Sequence, residues 1–331
     1  MRHHLLFIAA LLLSVFGCRT RPPARAASEI DPDMLKNVAA TPWRIDADTN
    51  PYSKAKADLG RALYYDKRLS KGGDISCNTC HPLDRFGVDN HPVSIGHLGH
   101  KGTRNAPSVY FAAGHVVQFW DGRAPTIEEQ AKGPLLNPSE MAMEPKEVEQ
   151  VLRANYVPGF QKAFPQEKTP LTLQNAAFAI AVFERGLTTP SRWDQFLQGA
   201  ADALNAEEKA GFMAFHQAGC IACHNGPYLG GRLYTKVGIV KAWPSQNDLG
   251  RFLVSGLDYQ RMTFKVPSLR NVEKTAPYFH DGSVAKLEDA VTMMGEHQVE
   301  RALTVTEIKS IVAWMKSLTG TIPVDYITPP R

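Results

Sequence analysis

The chain is 331 residues long and carries a formal net charge of +4, with a pI near 8.7. Roughly 300 residues remain beyond the N-terminal leader, enough for two domains. Much of the positive excess sits at Arg2, Arg19, Arg21 and Arg25. No basic patch is interleaved with aromatic residues, which excludes a nucleic-acid-binding surface.

Residues 1–18 read as an export signal. A nearly continuous apolar run from Leu5 to Phe16 is too short to span a bilayer. It ends at Ser14-Val15-Phe16-Gly17-Cys18, which resembles a lipoprotein box and makes Cys18 a lipid anchor site. The competing reading is cleavage after Ala24-Arg25-Ala26, an A-x-A match. Either route exports the protein, to the periplasm. Residues 19–35, rich in Pro, Ala and Arg, read as a tether.

A helix is predicted from about Ser53, with Leu59, Leu63 and Tyr64 on one face, ending before Gly72-Gly73. An Ala-rich helical stretch covers Gln174–Leu187, and Thr188-Thr189-Pro190-Ser191 marks a domain boundary. Asn205 and Glu208 have capping-box spacing at the head of a helix over Ala206–Gln217. Leu287–Val291 is helical, and Ile308, Ile311, Val312, Met315 and Leu318 form one apolar stripe closed by Gly320. Residues 322–331, with three prolines, read as extended across the surface or packed back on the first domain. No sustained strand alternation is present. The fold class is therefore mainly α, as two cytochrome c-like domains with long loops, 36–187 and 188–331.

The chemistry lies in a pentapeptide that occurs twice, Cys77-Asn78-Thr79-Cys80-His81 and Cys220-Ile221-Ala222-Cys223-His224. Four of the five cysteines fall in these motifs. A chance pair is of order one in a million. A zinc ribbon needs its second Cys pair about 15–20 residues after the first, and these pairs are far further apart. A redox dithiol has no need of the trailing His. The motif is the attachment site of haem c: Cys77 and Cys80, and Cys220 and Cys223, each bond one haem, with His81 and His224 as proximal iron ligands.

The sixth ligand decides each haem's job. A Met sulfur closes the site for electron transfer, whereas an open or displaceable position admits peroxide. Met293, Met294 and His297 are candidates for the second haem. His91, His97, His100, His115, Met141 and Met143 are candidates for the first, and spacing alone does not separate them.

From Leu59 to Gly320 the chain resembles the bacterial di-haem cytochrome c peroxidases, within the wider family that includes the MauG-type enzymes. The likeness rests on Ile75–His81, Ser94-Ile95-Gly96-His97, Arg104–Ser108, Gln118–Arg123, Gln130–Pro134 and Thr275–His280. The resemblance implies His97 as the displaceable ligand of the first haem and Met294 as the axial ligand of the second, where MauG-type enzymes carry Tyr. It implies Trp120 as an aromatic between the haems. It places Gln130 and Glu140 in a peroxide pocket, with Glu140 as general acid–base. It puts Ca²⁺ at Asn105, Thr275 and Pro277, and gives His280 a supporting role. The implied activity is hydrogen peroxide reduction with electrons from a small periplasmic cytochrome c or cupredoxin. Many relatives of this kind are homodimers. The alternatives are a MauG-like oxidase of a partner protein and a non-catalytic di-haem electron carrier.

Overall fold

The computed structural model describes residues 29–330. Cys18 and the export signal lie outside the described residues. The helices are α1 (Lys54–Tyr65), α2 (Cys77–Cys80), α3 (Ile127–Leu136), α4 (Pro145–Asn155), α5 (Val157–Ala163) and α6 (Leu173–Glu184). They continue with α7 (Arg192–Leu197), α8 (Ala206–Gln217), α9 (Phe252–Ser255), α10 (Leu287–Gln298), α11 (Val305–Ser317) and α12 (Val324–Ile327). Two short strands, β1 (Tyr234–Lys236) and β2 (Thr263–Lys265), pair antiparallel. The protein is thus mainly helical with little sheet. No helix among the described residues is long and apolar enough to cross a membrane.

Two helix pairs organise the core. The Ser53 side chain caps α1 by accepting from the Lys56 N–H, and α1 buries Leu59, Gly60, Leu63 and Tyr64 against α6. In the second half, Asn205–Glu208 and Thr304–Glu307 capping boxes start α8 and α11. Each pair crosses at a glycine. A Cβ at Gly60 would lie 1.9 Å from the Ala179 carbonyl oxygen, and one at Gly211 would lie 1.8 Å from that of Ser310. Only glycine lets these backbones approach so closely.

The duplication extends into the loops. The Ser108 hydroxyl donates to the Phe86 carbonyl and accepts from the Tyr110 N–H; the Ser268 hydroxyl donates to the Tyr228 carbonyl and accepts from the Arg270 N–H. Further on, Gln118 bridges Ala124 and Tyr278 bridges Val284, each around a left-handed phenylalanine, Phe119 (φ 65°) or Phe279 (φ 71°). A helix then follows in each half, α3 or α10. The chain builds one loop–turn–helix unit twice.

Two hydrophobic clusters result. One gathers residues from Leu59 to Leu187 together with Tyr228 and Ile327; the other gathers Trp193 to Leu318 together with Ile30. The seam between them is polar. Arg104 pairs with Asp121 at 2.6 Å and with Asp248 at 2.5 Å, and the Lys265 N–H donates to the Trp120 carbonyl at 2.7 Å.

Several local expectations change. The far end of the expected tether is packed: Ile30 is buried and Pro32–Leu35 forms a 3₁₀ turn, because Ile30, Met34 and Leu35 share an apolar face. A helix runs directly into the second motif, but residues 66–76 separate α1 from the first. The C-terminal segment contains α12 instead of remaining extended. Tyr326 stacks on Phe183 at 5.2 Å, and its hydroxyl donates to the Phe183 carbonyl, which anchors that turn on the first cluster.

Candidate active site

Ser76 caps the one-turn α2, its own N–H donating to the Thr79 hydroxyl oxygen at 2.9 Å, which presents Cys77 and Cys80 on one turn. The second motif starts after Gly219, whose φ of 87° stops α8, and continues as a 3₁₀ turn. In both, the histidine N–H closes back on the first cysteine carbonyl, His81 to Cys77 and His224 to Cys220. The imidazoles are then oriented alike. His81 Nδ1 lies 3.1 Å from the Gly87 carbonyl and His224 Nδ1 lies 3.1 Å from the Leu229 carbonyl. A carbonyl can only accept, so Nδ1 carries the proton and Nε2 is left as the donor to a metal. Burial lowers both imidazoles, His224 to about 4, and keeps them neutral as ligation requires.

The four cysteines and two histidines of the motifs line one cavity of about 940 Å³ with largely apolar walls. Burial raises the thiols, Cys77 well above the thiol range and Cys220 to about 11. These are neutral thiols in apolar surroundings, the opposite of the electropositive setting that yields a zinc-binding or redox thiolate. Among the described residues no group of three or more His, Cys, Asp and Glu side chains is placed to hold a metal ion. The donor set fits two haems, each with two thiols and one neutral imidazole, and does not fit zinc.

The Glu140 carboxylate lies close enough to the first motif to act electrostatically on Cys77, Cys80 and His81. Gln130 on α3 and Glu140 in the following loop both line the cavity, and Glu140 Oε1 accepts from Asn137 Nδ2 at 2.7 Å. The His97 N–H donates to the Glu140 carbonyl at 2.8 Å. A Cβ at Gly96 would sit 2.0 Å from the Ser139 carbonyl oxygen, so these two loops press together. Gly96 borders the cavity, whereas His97 does not. Of the other candidates, His115 and Met141 line the cavity, Met143 is buried in the first cluster, and His91 and His100 are exposed.

Near the second motif, Met294 of α10 lines the cavity and Met293 does not. His297 is buried elsewhere, against Trp243, with Nδ1 3.0 Å from the Lys241 carbonyl. Trp120 lies at the seam, its Nε1–H donating to the Asn105 carbonyl at 2.9 Å. Its ring meets His280 edge-on at 6.4 Å, and His280 stacks on Phe264 at 4.2 Å. Asn105 and Thr275 border the same cavity, and Pro277 does not. The Asn105 Nδ2 donates to the His91 carbonyl at 2.9 Å.

Comparison with known proteins decides the family. A family model described as di-haem cytochrome c peroxidase matches residues 54–202. The chain is 45% identical to the cytochrome c551 peroxidase of Nitrosomonas europaea, over 84% of each chain. It is also 45% identical to the cytochrome c551 peroxidase of Pseudomonas aeruginosa, over 83% of this chain and 82% of that one. The chain belongs to the di-haem cytochrome c peroxidase family. A crystal structure of a MauG-like protein associated with microbial copper homeostasis is 32% identical, with a TM-score of 0.78 over 88% of this chain and 97% of that one.

One residue at this di-haem peroxidase site, Lys265, was not anticipated from the sequence. It lines the cavity and touches His115, a candidate ligand of the first haem, across the seam. The repeated pattern Phe119-Trp120-Asp121-Gly122 and Phe279-His280-Asp281-Gly282 is a signal that pairs Trp120 with His280.

Proposed function

We propose that this peroxidase reduces hydrogen peroxide to two waters, consuming two electrons and two protons, with a small periplasmic cytochrome c or cupredoxin as donor. The observation that carries the reading is an asymmetry. Two attachment motifs open on one cavity, and the Glu140 carboxylate acts electrostatically on Cys77, Cys80 and His81 of the first, while Gln130 and Met294 line the same cavity. When bound, haem iron supplies the one-electron chemistry that the side chains lack. His81 and His224 would each hold one iron through Nε2. Met294 would supply a sulfur ligand that closes the second site for electron relay. Gln130 orients peroxide by hydrogen bonding, and Glu140, held by Asn137, moves a proton from the inner to the outer peroxide oxygen. Trp120 and its contact with Lys265 join the two halves along the electron's route.

His97 is the proposed gate. With its backbone tied to Glu140, its side chain can leave the first haem without unthreading the pocket, and the arrangement with His97 outside the cavity wall suits peroxide entry. Ca²⁺ at Asn105, Thr275 and Pro277 would stabilise one setting of this switch. The units 36–187 and 188–331 would each hold one haem. Export to the periplasm, a lipid anchor at Cys18 and a homodimer complete the proposal.

The test is peroxide-dependent oxidation of reduced cytochrome c by the purified two-haem protein. Stoichiometric turnover supports the reading; its absence leaves a di-haem electron carrier. A MauG-like role is opposed by Met294, which stands where those enzymes carry Tyr.

A further inference from the structure

The proposed chemistry uses only the backbone N–H of Lys265, and the setting of its side chain is unusual. It is 6% exposed and lines the haem cavity. The other deeply placed cations are matched by carboxylates: Arg104 by Asp121 and Asp248, Arg185 by Glu128, Arg270 by Asp194. Among the described residues no carboxylate lies within ion-pair distance of Lys265. Its side-chain partner is His115, with Nζ 3.2 Å from Nδ1. His115 Nε2 is buried and makes no hydrogen bond. A buried ammonium without an ion-pair partner is costly, and burial, only partly offset by the more distant Asp121, lowers Lys265 to about 8. The pair is nevertheless held firmly. The Lys265 backbone is fixed by its bond to the Trp120 carbonyl and by its pairing with Tyr234. Gly231 packs so closely on the His115 ring that an added Cβ would lie 2.2 Å from Cδ2. Such a preformed, unneutralised cation needs an anion, and the anionic groups a haem brings into this cavity are its propionates.

We propose that Lys265, oriented by His115, binds a propionate carboxylate of one of the two haems at the seam. The carboxylate accepts from Nζ and supplies the missing negative charge. His115 comes from the first half and Lys265 from the second, so the contact makes one haem a tie between them. Lys265 is a positioning residue and takes no part in peroxide chemistry.

The inference rests on the two-haem reading, and its test separates the two. Lys265→Met is compared with wild type by spectroelectrochemical titration and by the propionate bending bands of the resonance Raman spectrum. Loss of a cation beside a propionate favours the oxidised form. One haem should therefore show a lower midpoint potential and displaced propionate bands, the other neither. If Lys265→Met carries both haems and neither reading moves at either haem, the proposal is overturned. If Lys265→Met fails to mature, His115→Gln decides on the same bands: a displacement at one haem supports the contact, and unchanged bands overturn it. Wild-type protein without covalent haem would sink the two-haem reading itself.

Discussion

The backbone N–H of His97 donates to the carbonyl oxygen of Glu140 at 2.8 Å. One loop thus carries the proposed gate and the other the proposed acid–base, and Gly96 seats the first loop against Ser139. Moving one loop is felt by the other, which gives a physical basis for coupling access to chemistry.

The first prediction concerns that gate. Fully oxidised wild-type protein should consume peroxide only after a lag, because His97 must leave the first haem. His97→Gly removes the side chain and should abolish the lag. Stopped-flow absorption on oxidised protein measures it, and an unchanged lag in the variant would refute gating by His97.

Glu140→Gln keeps the hydrogen bond to Asn137 but loses the proton-transfer function. Turnover should fall by about 10²–10⁴-fold, with both haem absorption spectra intact. Turnover equal to wild type would remove Glu140 from the chemistry.

Stability at low pH should depend on Asp194. Burial alone would raise this carboxyl, but Arg270 at 2.8 Å and hydrogen bonds from Thr41 and Ser191 outweigh it and hold the group below its ordinary range. With a folded value below the unfolded value of about 3.9, the stabilisation is complete above about pH 4 and disappears as pH falls through the folded value. Asp194→Asn leaves Arg270 buried without its partner and should cost about 3–5 kcal/mol at neutral pH. Thermal melts of the holoprotein from neutral pH to below pH 4 should show a lower Tm and a flatter acid limb. An acid limb as steep as wild type would contradict the assignment.

The helix crossings make a separate prediction. Gly60→Ala and Gly211→Ala each force a methyl group into a carbonyl oxygen and should destabilise by about 1–3 kcal/mol. A Tm equal to wild type in either variant would show that the helices can slide apart at that crossing.

Local signals were legible and tertiary ones were not. The Asn205 cap and the stripe from Ile308 to Leu318 place α8 and α11 without reference to the rest of the chain. Strands β1 and β2 have three residues each and exist only because Tyr234 meets Lys265 across the fold, so no periodicity could announce them. At the site, both Cys-x-x-Cys-His motifs were plain, since attachment chemistry demands adjacent residues. Met294 was preferred to Met293 by resemblance, and that Met294 alone of the two lines the cavity depends on how α10 is set. The Lys265–His115 contact joins residues 150 positions apart, and its significance depends on no carboxylate among the described residues lying within ion-pair distance of Lys265, which composition cannot report. Ile30 was hidden by the Pro- and Arg-rich stretch around it.

The division of labour between the two haems is tested most directly by mixing peroxide with the protein in two states, fully oxidised and reduced by one electron, and following haem absorption in a single turnover. The account predicts slow reaction of the oxidised form and rapid reaction of the half-reduced form, with one haem changing spin state before peroxide is consumed. Equal rates in both states, with both haems six-coordinate and low-spin throughout, would contradict it.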